Sequence, residues 1–220
     1  MNGTVNVFSG FNLNDLLFLA EAAWHTLLIS AISISLGTAI GALLGWLLHE
    51  GRIWASLFLA PVLDVFRSVP LLIQLVLFYN FAPIVGFSLD GFQSGLVVLT
   101  IYTAALVASV AKGGIEAVGL PMRRAARSLG MTYWHDLRHV VLPIGARAVF
   151  PSWVGVALGV LKDSSLVSVL GYVELLRASQ ILITRTQEPL LVISVAGAFY
   201  FILSYPVSRY AARLEKRWSQ

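Results

Sequence analysis

Two histidines, His135 and His139, have the spacing at which side chains on one face of a helix can share a metal ion. Asp136 lies between them, at the position of the glutamate in the pattern His-Glu-x-x-His. In that pattern the two histidines bind zinc and the glutamate acts as the base in hydrolysis. Since aspartate is one methylene shorter, the sequence suggests a hydrolytic metal centre with an imperfect base.

Such a centre inside a membrane also needs a third metal ligand. The tripeptide LDG at residues 89–91 resembles the third-ligand motif of intramembrane metalloproteases, but there it follows the histidines and here it precedes them. The distribution of basic residues places Asp90 across about 30 Å of hydrocarbon from the histidines. We therefore expect the histidines, next to Trp134, to be interfacial side chains, and we predict no metal site and no catalytic residue.

The lysines of the chain do not stand in a nucleotide-binding pattern. A phosphate loop needs a glycine-rich turn followed by Gly-Lys-Ser or Gly-Lys-Thr, so that backbone amides surround the phosphates. Lys112, Lys162 and Lys216 lack that context. We therefore expect no bound ATP, magnesium or other cofactor in this chain, and no enzymatic activity. The absence of cysteine excludes disulfides and thiolate metal sites.

The composition is that of an integral membrane protein. Of the 220 residues, 58% are hydrophobic and 12% are charged, against about one quarter charged in soluble domains, and the mean hydropathy is +0.82. The N-terminus has no basic region before its first apolar run, so we expect no cleaved signal peptide. We predict a single all-α domain, residues 1–220, with five transmembrane helices at residues 16–48, 53–81, 92–111, 140–161 and 190–208.

Glycine recurs at every fourth position in the first apolar run, at Gly37, Gly41 and Gly45. Small residues at this spacing allow a second helix to approach closely. Glycine is also common in membrane helices, so a close contact and a chance occurrence both stay open.

Polar side chains interrupt two of the apolar runs, where charge is costly unless it is paired or lines a cavity. They are Asp64, Arg67, Lys162, Asp163, Ser164 and Ser165. Asp64 and Arg67 are one helical turn apart, and Lys162 adjoins Asp163, so each pair can neutralise itself. Two interpretations stay open: internal ion pairs, or groups that contact a polar solute.

The longest polar segment lies between the third and fourth apolar runs. Pro121 suits the first turn of a helix, and Gly130 suits the left-handed position just past its end. The residues between them place small and apolar side chains on one face and positive charge on the rest. They are Ala125, Ala126 and Leu129 on the first, and Arg123, Arg124 and Arg127 on the second. We predict a short helix that docks on another protein.

This segment resembles a cytoplasmic signature that reads Glu-Ala-Ala, three residues, Gly, nine residues, Ile, one residue, Leu-Pro. The matching positions are Ala125, Ala126, Gly130, Val140, Leu142 and Pro143, with valine for isoleucine. The signature belongs to the permease subunits of bacterial ABC importers that carry polar amino acids and related compounds. Arg124 stands where that family has glutamate, so a carboxylate is missing from the docking face.

Further motifs of the same family follow in the correct order, and the resemblance covers residues 24–205. RSVPLLIQ at residues 67–74 is similar to Arg-Gly-Thr-Pro-Leu-Leu-x-Gln, and KDSSL at residues 162–166 is similar to Lys-Asp-Thr-Ser-Leu. Residues 102–115 match a third pattern, in which Ser109 replaces a glutamate and Lys112 an arginine. The two missing carboxylates, at Ser109 and Arg124, suggest a paired arrangement that has changed as a unit.

The resemblance implies that residues 113–139 couple a permease to ATP hydrolysis in a separate subunit. The residues that contact the ATPase would be Arg124, Ala125, Ala126, Leu129 and Gly130. The solute path would be lined by Asp64, Arg67, Gln74, Lys162, Asp163, Ser164 and Ser165. The implied partners are two ATPase subunits that bind ATP and magnesium, a second permease, an extracytoplasmic solute-binding protein, a small polar solute such as an amino acid, and membrane lipid, with no nucleic acid. A self-assembled channel, which needs no ATPase, is the remaining alternative.

Basic residues are divided unevenly between the two faces that five spans create. Arg177 and Arg185 fall on one face. The other face carries Arg52, Lys112, Arg123, Arg124, Arg127, Arg138, Arg209, Arg213, Lys216 and Arg217. Since basic loops stay in the cytoplasm, we predict a multi-pass protein of the bacterial cytoplasmic membrane with its N-terminus outside and its C-terminus inside.

Overall fold

The computed structural model describes residues 10–218, and within that range the chain is helical with no β-strand. Its main helices are α1 (Leu13–Glu50), α2 (Ala60–Ser68), α3 (Leu71–Phe81), α4 (Gly91–Glu116), α5 (Leu120–Ser128), α6 (Leu142–Asp163), α7 (Leu175–Thr186) and α8 (Pro189–Trp218). Shorter turns join them. Before α2 lie the helical turn Arg52–Trp54 and the π-helix Ala55–Leu59. Before α6 lie the helical turn Tyr133–Asp136 and the π-helix Leu137–Val141. The 3₁₀-helix Ala82–Val85 follows α3, and the 3₁₀-helix Ser164–Leu170 follows α6.

Within residues 10–218, four helical segments are long and apolar enough to cross a membrane. They are Leu13–Glu50, Gly91–Glu116, Tyr133–Leu170 and Pro189–Trp218. A fifth candidate consists of two helical pieces, Leu57–Ser68 and Leu71–Val85, which meet at an angle of 103°. These segments coincide with the five apolar runs of the sequence. The all-helical fold with four or five apolar spans is therefore confirmed, and one span is broken in the middle.

The break lies at Val69 and Pro70, which leave the helical conformation with ψ angles of 130° and 132°. The α conformation is disfavoured for a residue before proline, so the helix ends there. Gln74 donates from Nε2 to the carbonyl oxygens of Phe66 and Val69, both at 2.8 Å. These bonds satisfy acceptors near the break. The chain therefore bends at Pro70, and the bend separates two helices rather than kinking one.

The three glycines of α1 lie against α4. A Cβ atom on Gly37 would be 2.5 Å from Cβ of Thr103, and one on Gly45 would be 2.6 Å from the carbonyl oxygen of Ala108. Side chains in close-packed interiors do not approach so closely, so the contact depends on glycine. The close approach that the glycine spacing permits is present, and it fixes α1 against the central helix α4.

α7 lies between the fourth and fifth predicted spans, where the sequence predicts only a connection. Its apolar side, with Leu175 and Leu182, packs in a cluster with Leu19 of α1. Arg185 forms an ion pair with Asp15, which is buried in the first turn of α1. α7 is thus an ordered helix that packs against the N-terminal part of α1 and forms an ion pair with it.

Candidate functional site

α5 begins and ends where the sequence predicts. Pro121 occupies its first turn, and Gly130 follows it with a φ of 85°, a left-handed conformation that favours glycine. The amide of Gly130 donates to the Arg127 carbonyl at 3.0 Å, and the amide of Met131 donates to the Ala126 carbonyl at 3.2 Å. These two bonds form a Schellman motif that closes the C-terminus of the helix.

The side chains of α5 form an inward and an outward set. Ala126 is buried, whereas Arg124, Ala125 and Gly130 are exposed and Leu129 has 82% of its surface exposed. Successive residues of a helix are about 100° apart, which separates Ala125 from Ala126. The prediction that Ala126 shares an outward face with Ala125 and Leu129 is therefore wrong: it supports the helix from within.

Arg123 connects α5 to the segment that follows it and to the end of α1. Its Nε donates to Oδ2 of Asp136 at 3.1 Å, and its Nη1 lies 3.4 Å from Nε2 of His49 near the end of α1. Asp136 is fully buried, and its Oδ1 has no hydrogen-bond partner among residues 10–218. Since a buried carboxylate is costly unless it is paired, Arg123 stabilises the fold and is not free to bind a partner.

Tyr133 links the segment after α5 to the end of α1. The indole N–H of Trp46 donates to the Tyr133 hydroxyl at 2.8 Å, and that hydroxyl donates to Oε1 of Glu50 at 2.8 Å. The guanidinium of Arg127 lies over the Tyr133 ring, 5.9 Å from its centroid. α5 and α1 are therefore joined by continuous side-chain contacts.

The side chains around the two histidines are not arranged as a hydrolytic metal centre. The rings of His135 and His139 stack at 5.6 Å, and Nδ1 of His135 lies 3.0 Å from the Thr132 hydroxyl. Asp136 is held in its buried ion pair, and Asp90 caps the N-terminus of α4. Across the part of the chain that the structure describes, no three His, Asp or Glu side chains are grouped closely enough to hold a metal ion.

The first charged pair of the predicted solute path lies between α2 and α4. Arg67 forms an ion pair with Asp64 and also donates to the hydroxyl of Ser109. Ser109 therefore meets a cation at the position where the resembled family has glutamate. Arg124 is on α5 and forms no ion pair within residues 10–218. These separate surroundings give no support to the hypothesis that the two missing carboxylates form one paired arrangement.

The second charged pair lies along the same face of α4. Lys162 is exposed, and Asp163 is partly buried and interacts electrostatically with Tyr102 of α4. Tyr102 and Ser109 are seven residues apart, which is two helical turns or about 10 Å on one face. This face of α4 therefore borders both charged pairs.

Three other residues of the predicted path have polar groups that bond within the protein. Ser164 is buried and accepts a hydrogen bond from Ser30 of α1 at 3.0 Å. Ser165 lies beside the Tyr200 hydroxyl. The amide of Gln74 donates to the backbone at the break before α3. The polar groups of these three side chains therefore bond to other parts of the protein and stabilise the helices that carry the charged pairs.

Glu174 is a buried acid to which the sequence analysis assigns no role. Its carboxylate caps α7, accepting from the amides of Leu176 and Arg177 at 2.8 Å and from the Tyr200 hydroxyl at 3.2 Å. Burial raises the pKa of Glu174 above its ordinary value, and these hydrogen bonds oppose the shift. The apolar helical spacing of residues 175–182, directly after this acid, is the signal that could have revealed it.

The model of a protein family described as "Binding-protein-dependent transport system inner membrane component" matches residues 37–220. Two curated relatives are similar over nearly their whole length. A probable glutamine ABC transporter permease protein of Bacillus subtilis (strain 168) is 33% identical over 201 residues, which are 90% of this chain and 91% of the relative. A glutamine transport system permease protein of Escherichia coli (strain K12) is 32% identical over 203 residues, which are 90% of this chain and 92% of the relative.

Two solved structures have the same fold. A chain in the crystal structure of an amino acid ABC transporter with histidines superposes with a TM-score of 0.83 at 27% identity, covering 95% of this chain and all of the other. A chain of the methionine ABC transporter in an inward-facing conformation superposes with a TM-score of 0.79 at 24% identity, covering 94% of this chain and 99% of the other. The second likeness concerns the fold alone.

Proposed function

Since the chain belongs to the family of binding-protein-dependent transport system inner membrane components, we propose that it is the permease through which an ATP-driven importer moves a polar amino acid or related solute. It lies in the inner membrane and contributes no catalytic residue, while a separate ATPase subunit binds ATP and magnesium. The observation that carries this proposal is α5, a short helix with a fixed inner side and an exposed basic and apolar outer side.

Glutamine is the solute that the names of both curated relatives give for those proteins. For this chain we propose a polar amino acid, because the face of α4 between Tyr102 and Ser109 lies beside both charged pairs. Arg67 is the cation nearest Ser109, and Asp163 is the anion nearest Tyr102. A zwitterion can interact with both signs of charge as it passes along this face.

The proposed assembly contains two permeases, two ATPase subunits and an extracytoplasmic solute-binding protein. The second permease is either a second copy of this chain or a relative, and the solute path lies between the two. The excess of basic residues on the side of α5 supports a cytoplasmic C-terminus and an N-terminus outside. That orientation brings α5 to the ATPase and α7 to the side of the binding protein.

In the proposed mechanism, ATP binding brings the ATPase subunits together and displaces α5. Arg127 and Tyr133 transmit that displacement to Trp46 and Glu50 at the end of α1. The tight glycine contact makes α1 and α4 move as one body, so the face of α4 that borders the charged pairs changes its exposure. The coupling is a free-energy link between the nucleotide site and the solute path.

The test is a gentle-detergent purification of the tagged chain from its native membrane, followed by mass spectrometry, an ATPase assay and solute uptake in proteoliposomes. We expect an ATPase subunit to copurify and its hydrolysis to rise with a loaded solute-binding protein. Uptake should require ATP on the side of α5. Recovery of the chain alone, without ATPase activity but with passive solute flux, would contradict the proposal and favour the self-assembled channel.

A further inference from the structure

The centre of the outward face of α5 is a single arginine. Arg124 precedes the buried Ala126 by two residues, which is about 200° around the helix axis, so it points almost directly away from the protein. Ala125 beside it is exposed and small. A partner surface can therefore approach the backbone closely at this point.

Leu120 provides apolar surface on the same face. It precedes Arg124 by four residues, which is about 40° around the helix axis, and 65% of its surface is exposed. An apolar side chain beside a polar group helps to exclude water when a partner covers both. Docking of a partner over Arg124 and Leu120 would therefore remove the guanidinium of Arg124 from solvent.

The positive charge of Arg124 has no counter-ion in the described part of the chain. Arg123 is paired with Asp136, and Arg127 lies over the ring of Tyr133. Glu116, at the end of α4, pairs with Lys112 at 3.7 Å. Of the three arginines of α5, Arg124 is thus the one with neither an ion pair nor a ring contact among the described residues.

We propose that the ATPase subunit presents a carboxylate to Arg124 in the groove that receives α5, an inference that rests on the proposed function. An unpaired charge that a partner covers is strongly unfavourable, whereas a carboxylate can accept two parallel hydrogen bonds from guanidinium. The partner surface is therefore acidic where it faces Arg124 and apolar where it faces Leu120. Its charge, as much as its shape, selects this permease.

A zero-length crosslink tests this contact directly. In the Arg124→Lys variant, a water-soluble carbodiimide joins the introduced amine to any carboxylate in direct contact, with loss of water. We expect a crosslinked peptide between α5 and an acidic residue of the copurified ATPase. Arg127→Lys is the matched control, because its side chain lies over Tyr133, and it should give no such crosslink. The native lysines, Lys112, Lys162 and Lys216, provide the background.

Charge reversal provides the second measurement, on the same complex. Arg124→Glu should weaken ATPase association about 30-fold or more, since loss of one partner of a covered ion pair costs at least 2 kcal/mol. Replacing the crosslinked acid of the ATPase by lysine should restore binding. Arg213→Glu is the control for net charge, because Arg213 is exposed on α8, and it should leave association unchanged.

The outcomes separate this inference from the proposed function. If the complex copurifies and hydrolyses ATP, but neither the crosslink nor the effect of charge reversal appears, the carboxylate contact is wrong and the permease assignment stands. Equal weakening by Arg213→Glu would also overturn the contact, since the effect would then be one of net charge. If the native chain copurifies with no ATPase, the proposed function itself fails.

Discussion

Gly41 of α1 and Ala104 of α4 approach each other so closely that a Cβ atom on the glycine would lie 2.7 Å from the carbonyl oxygen of Ala104. The same atom would lie 2.7 Å from Cβ of Val107. Both neighbours belong to a helix backbone or sit directly on it, so neither can move aside alone. This contact therefore fixes the distance between the axes of α1 and α4.

Gly41→Val should force α1 and α4 apart. Overpacking of this kind lowers the free energy of unfolding by about 1–3 kcal/mol. Each kcal/mol lowers Tm by about 2–4 °C in a chain of this size. Thermal unfolding in detergent measures the effect. Gly155→Val in α6 is the control, since a Cβ atom there meets nothing within 4 Å. An equal loss of Tm in both variants would show that the helix contact is not the cause.

Arg123→Ala should be among the most destabilising substitutions in the segment around α5. It leaves the fully buried carboxylate of Asp136 without its cation, which costs about 3–5 kcal/mol. The free energy of unfolding measures it. The double variant Arg123→Met with Asp136→Leu should lose less stability than Arg123→Ala alone, because no charge remains buried.

The exposed ion pair between Lys112 and Glu116 provides the comparison for that experiment. Lys112→Ala breaks a contact of 3.7 Å between two largely exposed side chains. Such pairs contribute about 0–1 kcal/mol. If Lys112→Ala and Arg123→Ala had the same effect, the buried pair would not have the role that its geometry indicates.

Gly130→Pro should uncouple ATP hydrolysis from transport while leaving solute capture intact. Proline cannot adopt the φ of 85° found at this position, so the Schellman motif that ends α5 is lost. Gly130→Ala, at a cost of about 1–2 kcal/mol, should give a milder form of the same defect. The ratio of solute transported to ATP hydrolysed in proteoliposomes is the measurement. Gly197→Ala in α8 is the control, since a Cβ atom there meets nothing within 4 Å. Full transport in Gly130→Pro would contradict the coupling role of α5.

Stability should depend on pH through Glu174. Burial raises the pKa of this carboxyl in the folded protein above its ordinary value near 4.5, so folding favours the protonated form. The resulting contribution is complete below pH 4.5 and is lost as the pH rises through the raised pKa. Tm measured from about pH 4.5 upward should fall in the native protein by more than in Glu174→Gln. Glu188→Gln, which changes an exposed carboxyl, should keep the native slope.

The bounds of α5 could be predicted because their signals are local. Pro121 and Gly130 act through their own backbone preferences, and nothing distant competes with them. The inward position of Ala126 could not be predicted in the same way. Two adjacent alanines look alike in sequence, and the packing of α5 on the segment at residues 133–141 decides which of them is covered.

The broken span at Pro70 could be predicted from the sequence only in part. Proline predicts that the helix is interrupted, but the angle of 103° depends on bonds such as those from Gln74 to Phe66 and Val69. The role of Asp136 was hidden for a similar reason. Its counter-ion, Arg123, lies 13 residues away, and the neighbouring histidines suggested a different chemistry.

The length of α1 has a mechanical consequence. Its 38 residues form a rod about 57 Å long, well beyond the roughly 30 Å of a bilayer's hydrocarbon. One end is clasped through Asp15 and Arg185, and the other through Glu50 and Tyr133. One continuous helix thus contacts α7 at one end and the segment after α5 at the other. Because no loop interrupts α1, a tilt imposed at one of its ends displaces the other end directly.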